Sequence, residues 1–201
     1  MHTTGPDWNA RYAGEAYAFG TEPNTFLTGS ADVLPRGRAL SLGEGEGRNA
    51  VWLARNGFRV WSVDGSAVGV AKTQRLAAGA GVTVHARRGR LEGVEISPGS
   101  WEVITSIFCH LHPDLRGPLH RAVVRGLAPG GVFALEAYTP GQLTRGTGGP
   151  SDPAMLPTLE ILRHELEGLE FMHARELERD VVEGHLHTGA ACVVQVLARR
   201  P

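Results

Sequence analysis

Cysteine is scarce: only Cys109 and Cys192 occur in 201 residues, and they lie far apart. That speaks for reduced thiols in a cytoplasmic protein rather than a disulfide scaffold. An excess of either charge is also missing, because 20 Lys and Arg stand against 21 Asp and Glu, a formal net charge of -1. A dedicated binder of nucleic acid or of membrane surfaces usually shows a basic surplus, so neither partner is expected. No apolar run approaches the ~18 residues needed to span a bilayer. The N-terminal MHTTGPDWNA lacks the apolar core of a signal peptide. There is no low-complexity tract and no internal repeat. What is there is 42% hydrophobic residues, in a length that fits one domain with a sizeable core. That domain is expected to span 1–201, with 1–37 as an N-terminal lid segment and 38–201 as the core.

The chain is organised around residues 38–64. Ala39, Leu40 and Leu42 form a short apolar strand, and Gly43, Gly45 and Gly47 follow at once. Arg48 to Arg55 reads as a helix, and Phe58 to Val63 as a second strand closed by Asp64. A strand, glycine loop, helix and strand ending in an acid form a nucleoside-binding unit. The glycines let backbone approach the ligand, and the acid accepts hydrogen bonds from ribose hydroxyls. The dinucleotide fingerprint G-x-G-x-x-G is not met, because position 48 is Arg and the third glycine comes one residue early at Gly47.

At this point the sequence resembles the class I S-adenosylmethionine-dependent methyltransferases, and more closely the bacterial tellurite-resistance and thiopurine branch. The matching residues are W-N-x-R-Y at Trp8 to Tyr12, E-P-N at Glu22 to Asn24, and G-E-G-R-N-A at Gly45 to Ala50. Val63-Asp64-Gly65-Ser66 and S-I-F-C-H-L at Ser106 to Leu111 complete the set. The family usually reads D-L-G-C-G where this chain reads Ser41-Leu42-Gly43-Glu44-Gly45. It commonly has an adenine-contacting acid where this chain has Arg90.

Elsewhere the pattern alternates. Ser66 caps a helix to about Ala78 with Val68, Val70, Ala71 and Leu76 as its apolar stripe. Val82 to Ala86 and Ser100 to Ile107 read as the third and fourth strands. Pro113 opens a helix to about Leu127, and Pro129-Gly130-Gly131 is a turn before a fifth strand, Val132 to Ala137. Thr158 to Glu167 is a helix. Leu169 to Val182 and Ala190 to Ala198 form a terminal hairpin around a turn at Gly184 to Gly189. Alternating strands and helices predict a parallel α/β sheet wrapped on both faces, and the hairpin forces one antiparallel strand into it. By resemblance the seven strands take the order 3-2-1-4-5-7-6. A dinucleotide dehydrogenase would instead continue with parallel crossovers.

Ligands of such sheets sit beyond the carboxyl ends of the strands, where the order reverses. The resemblance implies S-adenosyl-L-methionine as cofactor. Gly43, Glu44, Gly45 and Gly47 approach its methionine part, Asp64 takes the ribose, and Gly65, Ser66 and Leu91 border the adenine. Ser106, Ile107 and His110 face the methyl side. His110 is the candidate catalytic base. Tyr12, Tyr17, Phe19, Phe108, Glu136 and Tyr138 are the candidate substrate-binding residues. The partner is a small-molecule methyl acceptor, a thiol or a metalloid oxyanion. A soft acceptor of that kind needs no strong base. No N-P-P-Y or D-P-P-Y follows the fourth strand, which argues against DNA or protein amide methylation. No metal is expected, because Cys109 and His110 point apart if the strand continues. A non-catalytic nucleoside-binding protein of the same fold is the other functional class.

Overall fold

The computed structural model describes residues 7–184 and 187–201. The expected turn residue His185 lies outside them. Strands β1 (Arg38–Leu42), β2 (Arg59–Asp64), β3 (Val84–Arg88), β4 (Trp101–Ile107), β5 (Leu127–Tyr138), β6 (Glu170–Glu183) and β7 (His187–Arg199) form one sheet. Its order is β3-β2-β1-β4-β5-β7-β6. The neighbours from β3 to β5 are parallel, and β7 runs antiparallel to both β5 and β6. The alternating pattern and the terminal hairpin predicted a mostly parallel sheet with one antiparallel strand, and the family resemblance implied the order that is found.

Alternate residues of the central strands feed two cores. Leu40, Ile104, Phe133, Leu135 and Val194 pack on one face against Leu119 and Val123 of α5 (Pro113–Gly126) and Leu162 of α6 (Leu159–Glu165). Ala39, Val60, Val103, Ala134 and Leu197 pack on the other against Ala50 and Leu53 of α3 (Arg48–Arg55) and Leu27 of α2 (Thr25–Gly29). A strand apolar on both faces must be covered on both, which is why helices flank the sheet. No helix among the described residues is long and apolar enough to cross a membrane.

Three local readings change. First, β5 starts at Leu127, where the preceding helix was expected to end, and takes in Pro129-Gly130-Gly131, which were expected as a turn. Leu127 pairs with Trp101, and Gly130, at φ +77°, donates its N–H to Arg200 O, so strand pairing absorbs the Pro-Gly-Gly segment. Second, β7 starts at His187, because Glu183 and His187 are register partners and the hairpin turn is short. Third, helix α4 (Ala67–Gly79) buries Gly69, Lys72, Thr73 and Ala77, while Ala71 of the expected stripe is exposed. The helix is rotated because its inner face meets the glycine loop and a buried charge rather than the apolar sheet.

Candidate functional site

After β1 the chain reverses through Gly43 to Gly47 before entering α3. Gly43 and Gly45 have φ of +62° and +69°. That left-handed region strains residues with a Cβ. Both are crowded as well. A Cβ on Gly43 would strike Cys109 Sγ, and one on Gly45 would lie 2.8 Å from the Tyr12 hydroxyl. Gly43 N–H donates to Val63 O at 2.9 Å, laying the loop against the end of β2.

Asp64 follows directly. Its Oδ2 accepts from Gly45 N at 2.8 Å and its Oδ1 from Ser66 N at 2.7 Å. One lone pair per oxygen therefore remains for a ligand. Burial raises this carboxyl above the usual carboxylate range, and the two backbone N–H groups pull against that. Gly65 is exposed, whereas Ser66 is buried. The Ser66 hydroxyl caps α4 by accepting Gly69 N–H at 3.0 Å and donates to Asn9 Oδ1 at 2.9 Å. Leu91 closes the loop from the side of β3, 3.9 Å from where a Gly43 Cβ would stand. Arg90 stays in solvent and pairs with Glu92 at 2.8 Å.

Glu44 neither faces solvent nor turns its carboxylate to the front of the loop. Its Oε1 accepts the N–H groups of Asn49 and Ala50 at 2.9 and 3.0 Å, capping α3, and its Oε2 accepts from the Ser41 hydroxyl. Thr105 Oγ1 donates to Ser41 Oγ at 3.0 Å. The carboxylate that the family usually supplies from position 41 thus enters from position 44 and is spent on the helix terminus. Burial raises its pKa, while the Ser41 hydroxyl, the helix N–H groups and Arg48 lower it. Glu44→Gln should cost about 1–2 kcal/mol in urea unfolding, the size of a lost helix cap. Ser41→Asp in that background should restore part of it. An unchanged midpoint for Glu44→Gln would remove the capping role.

Residues 7–24 pack over this loop. Tyr12 is buried, and Trp8, Tyr12 and Phe19 form a ring cluster with centroids 5.5–6.4 Å apart. Burial, then the charge of Asp64, raises the Tyr12 hydroxyl, which keeps it protonated. The anchor is Glu46. Its Oε2 accepts Ala18 N–H at 2.7 Å, and its Oε1 pairs with Lys72 Nζ at 2.6 Å. Lys72 also donates to Ala16 O at 2.7 Å, and half-buried Tyr17 donates to Lys72 O at 3.3 Å. Sequence reasoning missed both Glu46 and Lys72. A lysine spaced at i+3 from Gly69, and a glutamate between two loop glycines, were the available signals.

At the end of β4, Ser106 and Ile107 are buried and Phe108 turns at φ +50°, a value uncommon outside glycine. The turn sends Cys109 Sγ onto Gly43 and brings the His110 ring under Tyr138, stacked at 5.3 Å and 8°. His110 Nε2 accepts Tyr138 N–H at 2.9 Å. Burial and Arg116 lower its pKa to about 4, against a backbone hydrogen bond at Phe108. Its lone pair is committed to a backbone amide, so the expected general base is here a neutral structural histidine. Burial, then Asp64, pushes the Cys109 thiol up to about 12. Exposed His112 faces Asp114 at 3.4 Å. Among the described residues no three of His, Cys, Asp and Glu converge to hold a metal ion.

His187 is likewise held neutral, at about 3, by burial, His110, Arg48 and Arg11. Unfolded histidines protonate near 6.5. The folded protein therefore binds fewer protons than the unfolded chain between those values. The resulting stability is full above pH ~6.5 and is lost as pH falls through the folded values. Urea midpoints should drop between pH 7.5 and pH 5, and His110→Gln should flatten part of that slope. A midpoint independent of pH would contradict the neutral assignment.

Glu136, expected in the acceptor pocket, is fully buried and saturated. Arg179 Nε and Gln195 Nε2 donate to Oε1 at 2.8 and 2.6 Å, and Arg179 Nη2 donates to Oε2 at 2.6 Å. Asn24 Nδ2 reaches Oε2 at 2.5 Å and Glu183 Oε1 at 2.7 Å, and Arg48 Nη2 pairs with Glu183 Oε2. No lone pair of Glu136 is left for a ligand. Glu136 instead ties the N-terminal segment to the β6–β7 hairpin, and Glu183 adds α3 through Arg48. Arg48, Arg179 and Glu183 are site-edge residues that the sequence did not single out for a role; Asn24, read only as part of a helix start, and His187, expected in the hairpin turn as solvated or at an interface, are buried beside them.

Sheet order, glycine loop and the acid at the end of β2 together define the class I methyltransferase fold. Residues 39–131 match the family described as a methyltransferase domain. No curated protein sequence matches the chain. Solved structures similar to it include one reported for conversion of a disulfide bond into a thioacetal group during echinomycin biosynthesis. It is 15% identical at TM-score 0.78, with 96% of this chain and 90% of that chain covered. TehB from Haemophilus influenzae is 16% identical at TM-score 0.73, over 96% of this chain and 66% of its own. A SAM-dependent methyltransferase from Methanosarcina mazei is 14% identical at TM-score 0.72, over 89% and 98%.

Proposed function

We propose that this protein is an S-adenosylmethionine-dependent methyltransferase acting on a small-molecule acceptor, a thiol or a metalloid oxyanion. The observation that carries the reading is Asp64, which bridges Gly45 and Ser66 and keeps one lone pair on each oxygen for the ribose hydroxyls. The fit extends to the neighbours. Gly43, Gly45 and Gly47 leave backbone bare for the methionine part, Gly65, Ser66 and Leu91 border the adenine, and Ser106 and Ile107 line the methyl side. The loop turned by Glu44 sets their spacing. When bound, the sulfonium supplies the electrophile.

The chain's own contribution is position and dryness. Tyr12, Tyr17 and Phe19 cover the loop and exclude water. Phe108, His110 and Tyr138 present neutral rings beside a cationic centre. With His110 bonded to backbone, Tyr12 and Cys109 held protonated and burial pushing His187 down to about 3, none of these four side chains is poised to take a proton. That favours an acceptor that is already a good nucleophile. Incubation with methyl-labelled cofactor and a panel of thiols, tellurite, selenite and small phenols tests the reading. Label should pass to a thiol or a metalloid. Cofactor binding without transfer to any of them would favour a non-catalytic binding protein.

A further inference from the structure

The net charge of -1 hides a local surplus. Between Val33 and Leu91 no Asp or Glu is exposed, because Glu44 and Glu46 are buried and Asp64 is half-buried in the crevice. Arg36, Arg55, Arg59, Arg75, Arg87 and Arg88 are all exposed over the same stretch. From the neighbouring strand β4, Glu102 is committed to Arg38, whose N–H it accepts at 2.5 Å. The arginines belong to the side of the sheet that ends in β3 as its outer strand. A region of one sign attracts a partner of the other whatever the total charge.

One face of this region also carries rings. Residues two apart on a strand share a face, and so do register partners. Arg59 and Trp61 therefore share a face with His85, the partner of Trp61, and with Arg87 beyond it. Arg87 pairs with Val63, so the row from Arg59 runs four residues, about 13 Å at ~3.3 Å per residue. The Trp61 and His85 rings stack at 4.9 Å and 25° between the two cations. Between β3 and β4 the chain forms only a 3-10 turn, Leu91–Gly93, in place of a helix, and His85 and Arg87 stay exposed. A cavity of ≈ 270 Å³ lies at the amino end of the row, lined by Phe58, Arg59, Trp61, Thr83 and His85 among others. The Arg36 guanidinium stands 5.2 Å from the Phe58 ring at that end.

The chemistry separates the polyanions. Arginine carries every one of these charges, and its planar fork suits phosphate oxygens. A lipid surface would also take up apolar side chains, yet among the described residues no exposed large hydrophobic lies between Val33 and Leu143. An acidic protein segment would be held by the cations alone. Rings set between cations suit unpaired bases and their phosphates, whereas a base inside a duplex has no free face to stack. We propose that this face of β2 and β3 binds single-stranded nucleic acid, with bases against Trp61 and His85 and phosphates on Arg36, Arg59 and Arg87. The surface is separate from the crevice and does not rest on the methyltransferase reading.

Fluorescence anisotropy of the unmodified protein with labelled oligouridylate, oligothymidylate and an abasic oligonucleotide of equal length tests it. The two base-bearing strands should bind saturably and about fivefold tighter than the abasic one, the low end for one base on an aromatic ring. His85→Ala, at an exposed position, should remove most of that difference and leave abasic binding unchanged. Arg59→Gln with Arg87→Gln should weaken all three and lower the slope of log affinity against log salt by about 1.4, at ~0.7 per phosphate contact. Arg163→Gln with Arg175→Gln, in α6 and in β6 at the opposite edge, should change neither quantity. Uridylate against thymidylate tells RNA from DNA as the source. Absence of binding, equal affinity for the abasic strand, or an equal loss in the Arg163 and Arg175 variant overturns the proposal. Displacement of the strands by S-adenosylhomocysteine, or binding to phosphatidylserine vesicles but not to the strands, also overturns it.

Discussion

Asp64→Ala is expected to weaken S-adenosylmethionine binding at least tenfold in calorimetry. A carboxylate accepting two ribose hydroxyls makes charge-assisted bonds worth about 1.5–3 kcal/mol each. The geometry adds a second route to the same loss. Asp64 also holds the Gly45 and Ser66 N–H groups, so its removal frees the glycine loop from the N-terminus of α4. Asp64→Asn separates the two routes. The amide oxygen can still accept one backbone N–H, but the negative charge is gone. An Asn variant as weak as the Ala variant would assign the effect to the charge, and one close to the native protein would assign it to the loop. Native affinity in Asp64→Ala would remove the crevice assignment altogether.

Lys72→Met is expected to be the most destabilising change at the site, by about 3–5 kcal/mol, because it leaves Glu46 buried without its cation. The pair is nearly inaccessible, at 4% and 3% side-chain exposure, so solvent cannot replace the lost partner. The damage should be local in its first effect. Glu46 Oε2 receives Ala18 N–H, and Lys72 holds Ala16 O, so the segment over the loop loses its tether from both sides. Hydrogen exchange at Ala18 should speed up more than at Val103 in the centre of the sheet. Glu46→Gln with Lys72→Met removes both charges and should recover much of the stability. Equal exchange increases at the two positions would mean that the pair supports the whole fold rather than the tether.

The sheet was legible because its signals are periodic. Leu40 and Leu42 alternate with Ala39, glycines follow the first strand, and the hairpin at the end of the chain can enter a parallel sheet only by reversing one strand. The site was legible where backbone chemistry is local in sequence. Gly43, Gly45, Asp64 and Ser66 fall within one strand-helix-strand unit, and the structure brings them to one loop. Long-range polar pairing was not legible. Glu136 and Tyr138 end the same strand and look equivalent, yet Glu136 is claimed by Arg179 and Gln195, while the Tyr138 hydroxyl has no partner among the described residues. Nothing local to Glu183 announces that it meets Arg48 across 135 positions. The E-P-N and G-R-N-A segments carried the family resemblance, and the structure shows what joins them: Asn24 N–H donates to Asn49 Oδ1 at 2.9 Å. The misread stripe of α4 has the same origin. A helix that faces a polar loop buries Lys72, and apolar periodicity cannot find it.

The central claim is that the crevice takes S-adenosylmethionine rather than a dinucleotide. Calorimetric titration of the unmodified protein with S-adenosylmethionine, S-adenosylhomocysteine and NAD, under one set of conditions, tests it most directly. The account predicts saturable one-site binding of both adenosyl sulfur compounds, weakened in Asp64→Ala, and no measurable binding of NAD. Saturable binding of NAD with none of S-adenosylmethionine would contradict it.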